Sequence, residues 1–271
     1  MNTSSYLKQA TKKLADIPTA RLDALVLLED ATGKDRAWLL AHPEFELSDK
    51  IATLLHQQIE KRANHTPLAY IRGKSEFYGR EFLVTPDTLQ PRAETETMID
   101  LLKGSDFRTQ GSVIVDVGSG SGCIAITAKL EFPETQVYAT EINKAALDIA
   151  KKNAKMLGAE IEFFEGNLIE PLPASLSPSI LLCNLPYVPD GHTINQAAMQ
   201  EPKVAIFGGE DGLDLYREMF KQIEKLPVKP EYIFTESLPF QHEELAKIAK
   251  NHGYEQTTEE DFIQVFHASL N

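Results

Sequence analysis

Cysteine and long apolar runs are scarce in this chain. Only two cysteines, Cys123 and Cys183, occur among 271 residues, and both lie in apolar segments, so we expect reduced core thiols and no disulfide. No run reaches the roughly 18 apolar residues of a membrane-spanning helix. The polar N-terminus lacks the apolar core of a signal peptide. We therefore expect a cytoplasmic protein that does not enter a membrane.

Metal ligands and basic charge are also limited. The seven histidines show no ligand spacing with the cysteines, which predicts no metal site. The net charge is −13: residues 1–75 carry 11 Lys/Arg and 9 Asp/Glu, and residues 76–271 carry 16 and 31. An acidic body repels phosphate backbones, so nucleic acid is an unfavourable partner. We expect a monomer.

The first part of the chain has helical patterns, and we predict an N-terminal helical domain over residues 1–72. Residues suited to helix caps recur along it. The predicted N-caps are Thr19, Asp35 and Ser48, and Gly33 is the predicted end of the second helix. Residues 73–90 contain two short aromatic and β-branched runs on either side of Gly79, which predicts a β-hairpin linker.

Residues 91–271 alternate between strand and helix patterns. A helix is predicted from Pro91, and from residue 111 onward apolar strands alternate with amphipathic helices. This alternation predicts an α/β domain with a largely parallel, doubly wound sheet. Such sheets bind ligands at the carboxyl ends of their strands.

The segment VDVGSGSGCIA, residues 115–125, places a glycine loop between a predicted strand and helix. The glycines are Gly118, Gly120 and Gly122. Glycines allow a ligand to approach the backbone, and Glu141, at the end of the next strand, can accept both ribose hydroxyls. A nicotinamide dehydrogenase shares this plan, but its spacing is G-x-G-x-x-G, and Asp116 would repel a pyrophosphate. Asp116 suits the ammonium group of S-adenosylmethionine, whereas the remaining alternative is a tight turn without a ligand.

Two asparagines follow later strands. Asn167 is expected to accept the adenine amino group, the alternative being a turn residue. The stretch SILLCNLPYVPDG brings Asn184 to the carboxyl edge of the sheet beside the glycine loop, where it can contact both cofactor and substrate. An amide or exocyclic amine is a poor nucleophile that a site can orient through its N–H groups. The Asn184 side-chain oxygen and the Leu185 carbonyl can accept them, Pro186 fixes the backbone, and Tyr187 can pack on the planar substrate.

These motifs resemble the HemK/PrmC-type protein-(glutamine-N5) methyltransferases, which modify peptide chain release factors. The resemblance rests on VDVGSGSGCIAI, NLPYVPDG, EPKVAIFGGEDGLDLYREM and the linker segment ending in PRAETE. It implies a seven-stranded, Rossmann-like class I methyltransferase domain with S-adenosylmethionine as cofactor. It also implies methyl transfer to the glutamine of a Gly-Gly-Gln motif in class I release factors, which the helical domain helps to dock.

The chain departs from the family pattern at three points. Leu185 stands where the family has proline, so the catalytic loop is expected to be less rigid. Ala93 replaces a second proline, in PRAETE, and the last strand lacks a common arginine. Arg92 and Glu94 are expected near the substrate pocket, unless they are only solvated charges at a helix start. Asn-Leu-Pro-Tyr also resembles adenine-N6 dimethylases. An adenine-N6 methyltransferase and a non-catalytic S-adenosylmethionine-binding protein therefore remain alternatives.

Overall fold

The computed structural model describes residues 1–104 and 111–269 and divides the chain into two compact units. The last two residues of the predicted catalytic domain lie outside the described residues. The first unit comprises Met1–Gly73 and Ile194–Gln200, and the second comprises the rest of the chain. The segment Ile194–Gln200 follows the NLPY stretch in sequence but belongs to the helical unit, where Gln200 Nε2 donates to the Asn64 carbonyl at 2.7 Å.

Five helices build the first unit around a leucine-rich core. They are α1 (Thr3–Lys13), α2 (Ala20–Thr32), α3 (Arg36–Ala41), α4 (Asp49–Ala63) and α5 (Leu68–Arg72). The Asp35 and Ser48 side chains cap α3 and α4, and Gly33 ends α2 at φ 66°. Thr19 occupies the predicted N-cap position of α2, but its backbone (ψ 16°) is not extended and its hydroxyl makes no capping hydrogen bond, so the predicted side-chain cap is absent.

The second unit opens with a hairpin and continues as an α/β fold. Its elements are β1 (Lys74–Phe77), β2 (Arg80–Leu83), α6 (Glu96–Leu102), β3 (Val113–Val117), α7 (Cys123–Glu131), β4 (Gln136–Glu141), α8 (Lys144–Leu157), β5 (Glu162–Glu165), β6 (Ile180–Cys183), α9 (Asp214–Ile223), β7 (Tyr232–Glu236), α10 (His242–Asn251), β8 (Tyr254–Glu260) and β9 (Ile263–Ala268). The hairpin turns at Tyr78 and Gly79, both with positive φ, as a two-residue type I′ turn requires. The predicted hairpin is thereby confirmed.

The main sheet has seven strands in the order β5-β4-β3-β6-β7-β9-β8. The first five are parallel, and β9 runs antiparallel to both of its neighbours. The predicted α/β class and seven-stranded sheet are confirmed. Strand β8 was not predicted, because its sequence YEQTTEE is polar and all but one of its residues are at least partly exposed. Burial of an apolar face, the usual signal of a strand, is missing there.

The helix predicted from Pro91 begins five residues later, at Glu96. The preceding segment follows an irregular path because a buried carboxylate holds it. Glu201 accepts from the Gln90 N–H at 3.1 Å and from Arg92 Nη2 at 2.7 Å. Arg92 is therefore paired within the fold instead of opening a helix.

Two further predictions concern cysteines and metal ligands. Cys123 and Cys183 are both free and buried, and burial raises the pKa of each thiol, as expected for unreactive core residues. Across residues 1–104 and 111–269, no group of three or more His, Cys, Asp or Glu is arranged to hold a metal ion. In the same ranges, no helix has the length and apolar character needed to cross a membrane.

Candidate active site

The sheet brings four of the chain's polar and glycine motifs into one row. Val117 on β3 is in register with Thr140 on β4 and with Cys183 on β6, and Cys183 is in register with Thr235 on β7. The residues one step further are Gly118, Glu141, Asn184 and Glu236. Because these four strands are parallel, the four residues lie together at the carboxyl edge, where open α/β sheets bind ligands.

The glycine loop between β3 and α7 packs tightly against helix residues at Gly122 and borders open space at Gly120. Gly118, Gly120 and Gly122 have φ of 76°, 55° and 82°, values that side chains other than glycine rarely adopt. A Cβ at Gly122 would lie 3.0 Å from Ile126 and 3.1 Å from Ala150, so this glycine permits close helix packing. A Cβ at Gly120 would meet nothing within 4 Å, so the loop borders open space there.

Two buried carboxylates accept hydrogen bonds here, Asp116 from helix α7 and Glu141 from the glycine loop. Asp116 is fully buried; its Oδ2 accepts from the Ala125 N–H at 3.0 Å, whereas its Oδ1 has no partner among the described residues. Burial raises the pKa of Asp116 to about 7. Glu141 is 8% exposed and accepts from the Gly120 and Asn143 N–H groups, both at 2.8 Å. Burial raises the pKa of Glu141 as well.

The NLPY loop leaves β6 directly beside the glycine loop. Leu185 is buried, and its Cδ2 would be 3.2 Å from a Cβ at Gly118, so the two loops pack against each other. Its N–H donates to the Tyr216 hydroxyl at 3.4 Å. The Tyr216 hydroxyl lies 2.6 Å from the Glu236 carbonyl and 3.1 Å from the Cys183 carbonyl, and these two acceptors share its one hydrogen. A buried tyrosine thus ties the ends of β6 and β7 to the start of the loop.

The GGEDG segment, residues 208–212, braces the NLPY loop from the other side. A Cβ at Gly208 would lie 2.2 Å from the Pro186 carbonyl oxygen, and a Cβ at Gly212 would lie 2.0 Å from that of Tyr187. Gln241 Nε2 donates to the Tyr187 carbonyl at 2.8 Å. Although Leu185 replaces a proline, these contacts hold the loop. The GGEDG segment is therefore packed backbone against backbone, and its glycines are required by close approach.

We expect Gly208→Ala to disturb the NLPY loop. Its methyl group cannot fit against Pro186 without a shift of backbone, and overpacking of this kind costs about 1–3 kcal/mol. Turnover should fall by about 10-fold because a small displacement of orienting groups is costly. The matched control is Gly191→Ala, where the added Cβ meets nothing within 4 Å. Melting curves and turnover of both variants test this, and equal turnover would contradict it.

The PRAETE segment contributes a residue that sequence reasoning overlooked. Thr95 is buried, and its hydroxyl accepts from Asn184 Nδ2 at 3.0 Å and donates to Glu236 Oε2 at 2.6 Å. Arg92 is paired with Glu201, and Glu94 is exposed. Substrate contact by Arg92 and Glu94 stays a prediction, whereas Thr95 reaches the predicted catalytic asparagine directly.

Comparison with known proteins matches both parts of the chain. The family model described as the PrmC N-terminal domain matches residues 5–73, and the methyltransferase small domain matches residues 94–203. The chain is 38% identical to a release factor glutamine methyltransferase of Koribacter versatilis over 77% of this chain and 76% of that protein. Identity to the protein of the same name from Coxiella burnetii is 32%, over 93% of both chains.

The chain belongs to the release factor glutamine methyltransferase family. Solved structures agree with this fold. A methyltransferase from Pyrococcus furiosus superposes with a TM-score of 0.53 at 15% identity, covering 83% of this chain and 100% of that one. The catalytic domain of human Mettl16 superposes with a TM-score of 0.53 at 13% identity, covering 84% of this chain and 83% of that one. At such low identity these two show the fold alone.

The site of this family member fits S-adenosylmethionine, the cofactor of the methyltransferase domain. The open space next to Gly120 can admit a ligand, and Glu141 lies beside it. Asp116 presents a buried oxygen that has no partner in the described part of the chain. Asn167 Nδ2 donates to Glu218 at 2.6 Å, which leaves its Oδ1 as the atom suited to accept from an adenine amino group. The individual roles of these residues remain predictions.

The affinity for S-adenosylmethionine should rise as the pH rises through about 7, because only the ionised Asp116 can pair with the cofactor's ammonium group. The free energy of unfolding of the apoprotein should instead fall as the pH rises. The folded state favours the protonated carboxyl, so Asp116 contributes stability below its unfolded pKa that is lost between roughly pH 4 and 7.

Asp116→Asn tests both predicted pH dependences, that of cofactor affinity and that of apoprotein stability. Calorimetry should show roughly 10-fold weaker binding of S-adenosylhomocysteine at pH 8, as expected for loss of a charged hydrogen bond, and a flatter pH dependence. Between roughly pH 4 and 7, the unfolding free energy of the variant's apoprotein should also fall less than that of the wild type. A wild-type pH profile of binding in this variant would overturn the assignment of Asp116.

Proposed function

We propose that this chain transfers a methyl group from S-adenosylmethionine to the side-chain amide nitrogen, N5, of the glutamine in the Gly-Gly-Gln motif of class I peptide chain release factors. The relatives named release factor glutamine methyltransferase support this substrate. The observation that carries the chemistry is the position of Asn184, which follows β6 in the same row as the glycine loop.

The reaction has to overcome the low nucleophilicity of an amide. Its nitrogen lone pair is delocalised, and no side chain readily deprotonates it at neutral pH. The protein can instead hold both N–H groups and direct the nitrogen. Asn184 Nδ2 already donates to Thr95, so its Oδ1 is the atom available to accept one substrate N–H. The Leu185 carbonyl is proposed to accept the other.

Pro186 and Tyr187 complete the proposed substrate site. Pro186 fixes its own φ, and its carbonyl oxygen packs against Gly208. This contact limits movement of the loop away from the substrate. Hydrogen bonds hold both the backbone and the side chain of Tyr187. Its carbonyl accepts from Gln241, and its hydroxyl donates to Glu236 at 3.0 Å. A ring held in this way offers a fixed face for the planar amide.

The cofactor supplies an activated methyl group on a positively charged sulfur. The residues of the chain supply position and fixed dipoles, which stabilise the charge that develops on the amide nitrogen. In this proposal the Asn184 side-chain oxygen and the Leu185 carbonyl direct their negative ends at that nitrogen. Orientation and electrostatics together account for the proposed catalysis by this chain's residues.

The predicted helical domain, residues 1–72, is proposed to dock the release factor. Its charge is nearly balanced, with 11 Lys/Arg and 9 Asp/Glu over residues 1–75, whereas the remainder of the chain is strongly acidic. It also matches the N-terminal domain model of the family. We place the protein in the cytoplasm, where peptide chain release takes place, and propose that it acts as a monomer.

The decisive experiment incubates the enzyme with labelled S-adenosylmethionine and one of three acceptors: an intact class I release factor, its isolated Gly-Gly-Gln peptide, or total RNA. Mass spectrometry should place one methyl group on the glutamine of the release factor. If the helical unit docks the substrate, the intact factor should be methylated much faster than the peptide.

The other outcomes separate the alternatives. Label in RNA and none in protein would support an adenine-N6 methyltransferase, which the Asn-Leu-Pro-Tyr sequence favours. Cofactor binding without label in any acceptor would support a non-catalytic binding protein. Equal rates on peptide and intact factor would overturn the docking role while leaving the chemistry intact.

A further inference from the structure

Glu236 is a buried carboxylate that accepts from the Tyr187 hydroxyl and also reaches Asn184 through Thr95. It ends β7, has no exposed surface, and stands in the same row as Asn184 and Gly118. Burying a carboxylate is unfavourable unless hydrogen bonds compensate it. Its position beside the predicted catalytic loop calls for an explanation in terms of that loop.

Three hydrogen bonds join Glu236 to the catalytic loop. Its Oε2 accepts from the Thr95 hydroxyl at 2.6 Å, and its Oε1 accepts from the Tyr187 hydroxyl at 3.0 Å. Thr95 Oγ1 in turn accepts from Asn184 Nδ2 at 3.0 Å. The carboxylate therefore lies at the centre of a chain that ends on the two side chains assigned to the substrate.

The direction of these bonds follows from the chemistry of the groups. An ionised carboxylate only accepts hydrogen bonds, so both hydroxyls must donate to it. A threonine hydroxyl has one hydrogen, and here it is committed to Glu236. Thr95 can therefore only accept from Asn184, which turns the NH₂ of the amide toward Thr95 and leaves Oδ1 on the opposite side.

We propose that Glu236 is a positioning residue: its carboxylate fixes, through Thr95, which end of the Asn184 amide faces the substrate, and fixes the Tyr187 ring directly. This inference rests on the proposed function, because it assumes that Asn184 Oδ1 accepts a substrate N–H. A reversed amide would present a donor to the substrate's own NH₂ group, and the two would repel.

Protonation of Glu236 should release this constraint. Burial raises its pKa to about 7; the hydrogen bonds from Thr95 and Tyr187 lower it, Glu94 raises it and Arg92 lowers it. The other titratable groups that sense its charge are Cys123 and Tyr216. A protonated carboxyl can donate to Thr95, whose hydrogen could then turn to Asn184 and stabilise the reversed amide. Turnover should therefore be full above about pH 7 and fall below it.

The test is Glu236→Gln, which keeps the shape but adds a donor and cannot ionise. We expect kcat at saturating cofactor to fall by about 10- to 100-fold, because a correctly directed hydrogen bond in an active site is lost. The low-pH decline of kcat near pH 7 should disappear, and the affinity for S-adenosylhomocysteine should stay near the wild-type value. The control Glu162→Gln, at an exposed strand position, should change none of these.

A pair of Thr95 variants keeps the inference falsifiable if Glu236→Gln does not fold. Thr95→Val keeps the shape but cannot relay the bond, and it should lower kcat as Glu236→Gln does. Thr95→Ser keeps the hydroxyl and should recover most of the lost turnover. Equal turnover in the Val and Ser variants would overturn the relay.

The wild-type enzyme is measured first, on the intact release factor. If it transfers no methyl group, the proposed function fails and the variants are not needed to show it. If it is active and folded Glu236→Gln keeps wild-type kcat, or loses kcat but retains the decline near pH 7, the positioning role is wrong while the proposed function stands.

Discussion

Replacing Asn184 by alanine should lower turnover by about 100-fold or more while leaving the fold and the cofactor affinity nearly intact, as when one preorganised polar group is removed from an active site. The variant removes Oδ1, the proposed acceptor for the substrate amide. It also leaves the Thr95 hydroxyl without the donor it has at 3.0 Å. Because the side chain is only partly buried, the cost to folding should be small.

Asn184→Asp separates orientation from charge. It keeps an acceptor oxygen for the substrate, so some activity could remain. However, it places a second acceptor opposite Thr95, whose hydrogen is already donated to Glu236. We therefore expect turnover well below wild type. The measurement is methyl transfer per enzyme at saturating cofactor, with melting curves. A folded Asn184→Ala enzyme with wild-type turnover would show that NLPY is only a turn.

Gly120→Val should abolish most cofactor binding. A Cβ at this position meets nothing within 4 Å, so the branched side chain would project into the open space above the glycine loop, where the cofactor is proposed to lie. We expect the affinity for S-adenosylhomocysteine to fall by about 100-fold or more, which corresponds to roughly 2.7 kcal/mol.

Backbone strain has to be separated from obstruction of the site. Gly120 has φ 55°, a conformation that costs a side-chain-bearing residue about 1–2 kcal/mol. Gly158→Val is the matched control, since Gly158 has φ 72°, also faces open space, and ends α8. Both variants should melt at similarly lowered temperatures, and only Gly120→Val should lose binding in calorimetry. Unchanged affinity in that variant would exclude the loop as the cofactor site.

Some elements of the site could be predicted from the sequence because their causes are local. The glycine spacing after a strand, the carboxylates at strand ends and the Asn-Leu-Pro-Tyr loop each show within a few residues of chain. The helix caps at Asp35 and Ser48 and the helix ends at Gly33 and Gly158 are local as well. Hydrogen bonds between near neighbours and positive φ values depend on residue type, and residue type is what a sequence displays.

The contacts that hold the loop could not be found in this way. Thr95 meets Asn184 across 89 residues of chain, and Thr95 meets Glu236 across 141. The signal for Glu236 was present in the sequence, since YIFTES also ends an apolar strand with a carboxylate, but nothing local distinguishes it from a solvated acid. The glycines of GGEDG are compatible with a flexible loop until the backbone of Pro186 is placed against them.

The sequence by itself determined the class of fold, the family and the residue types that the chemistry requires. The tertiary structure decided which of those residues meet and in which direction their hydrogen bonds run. The physical reason is the register of the parallel strands, which sets four strand ends at one level and depends on packing across the whole sheet. That alignment places the buried Glu236 in the same row as Asn184. Burial raises the pKa of Glu236 to about 7, so its protonation state changes near neutral pH.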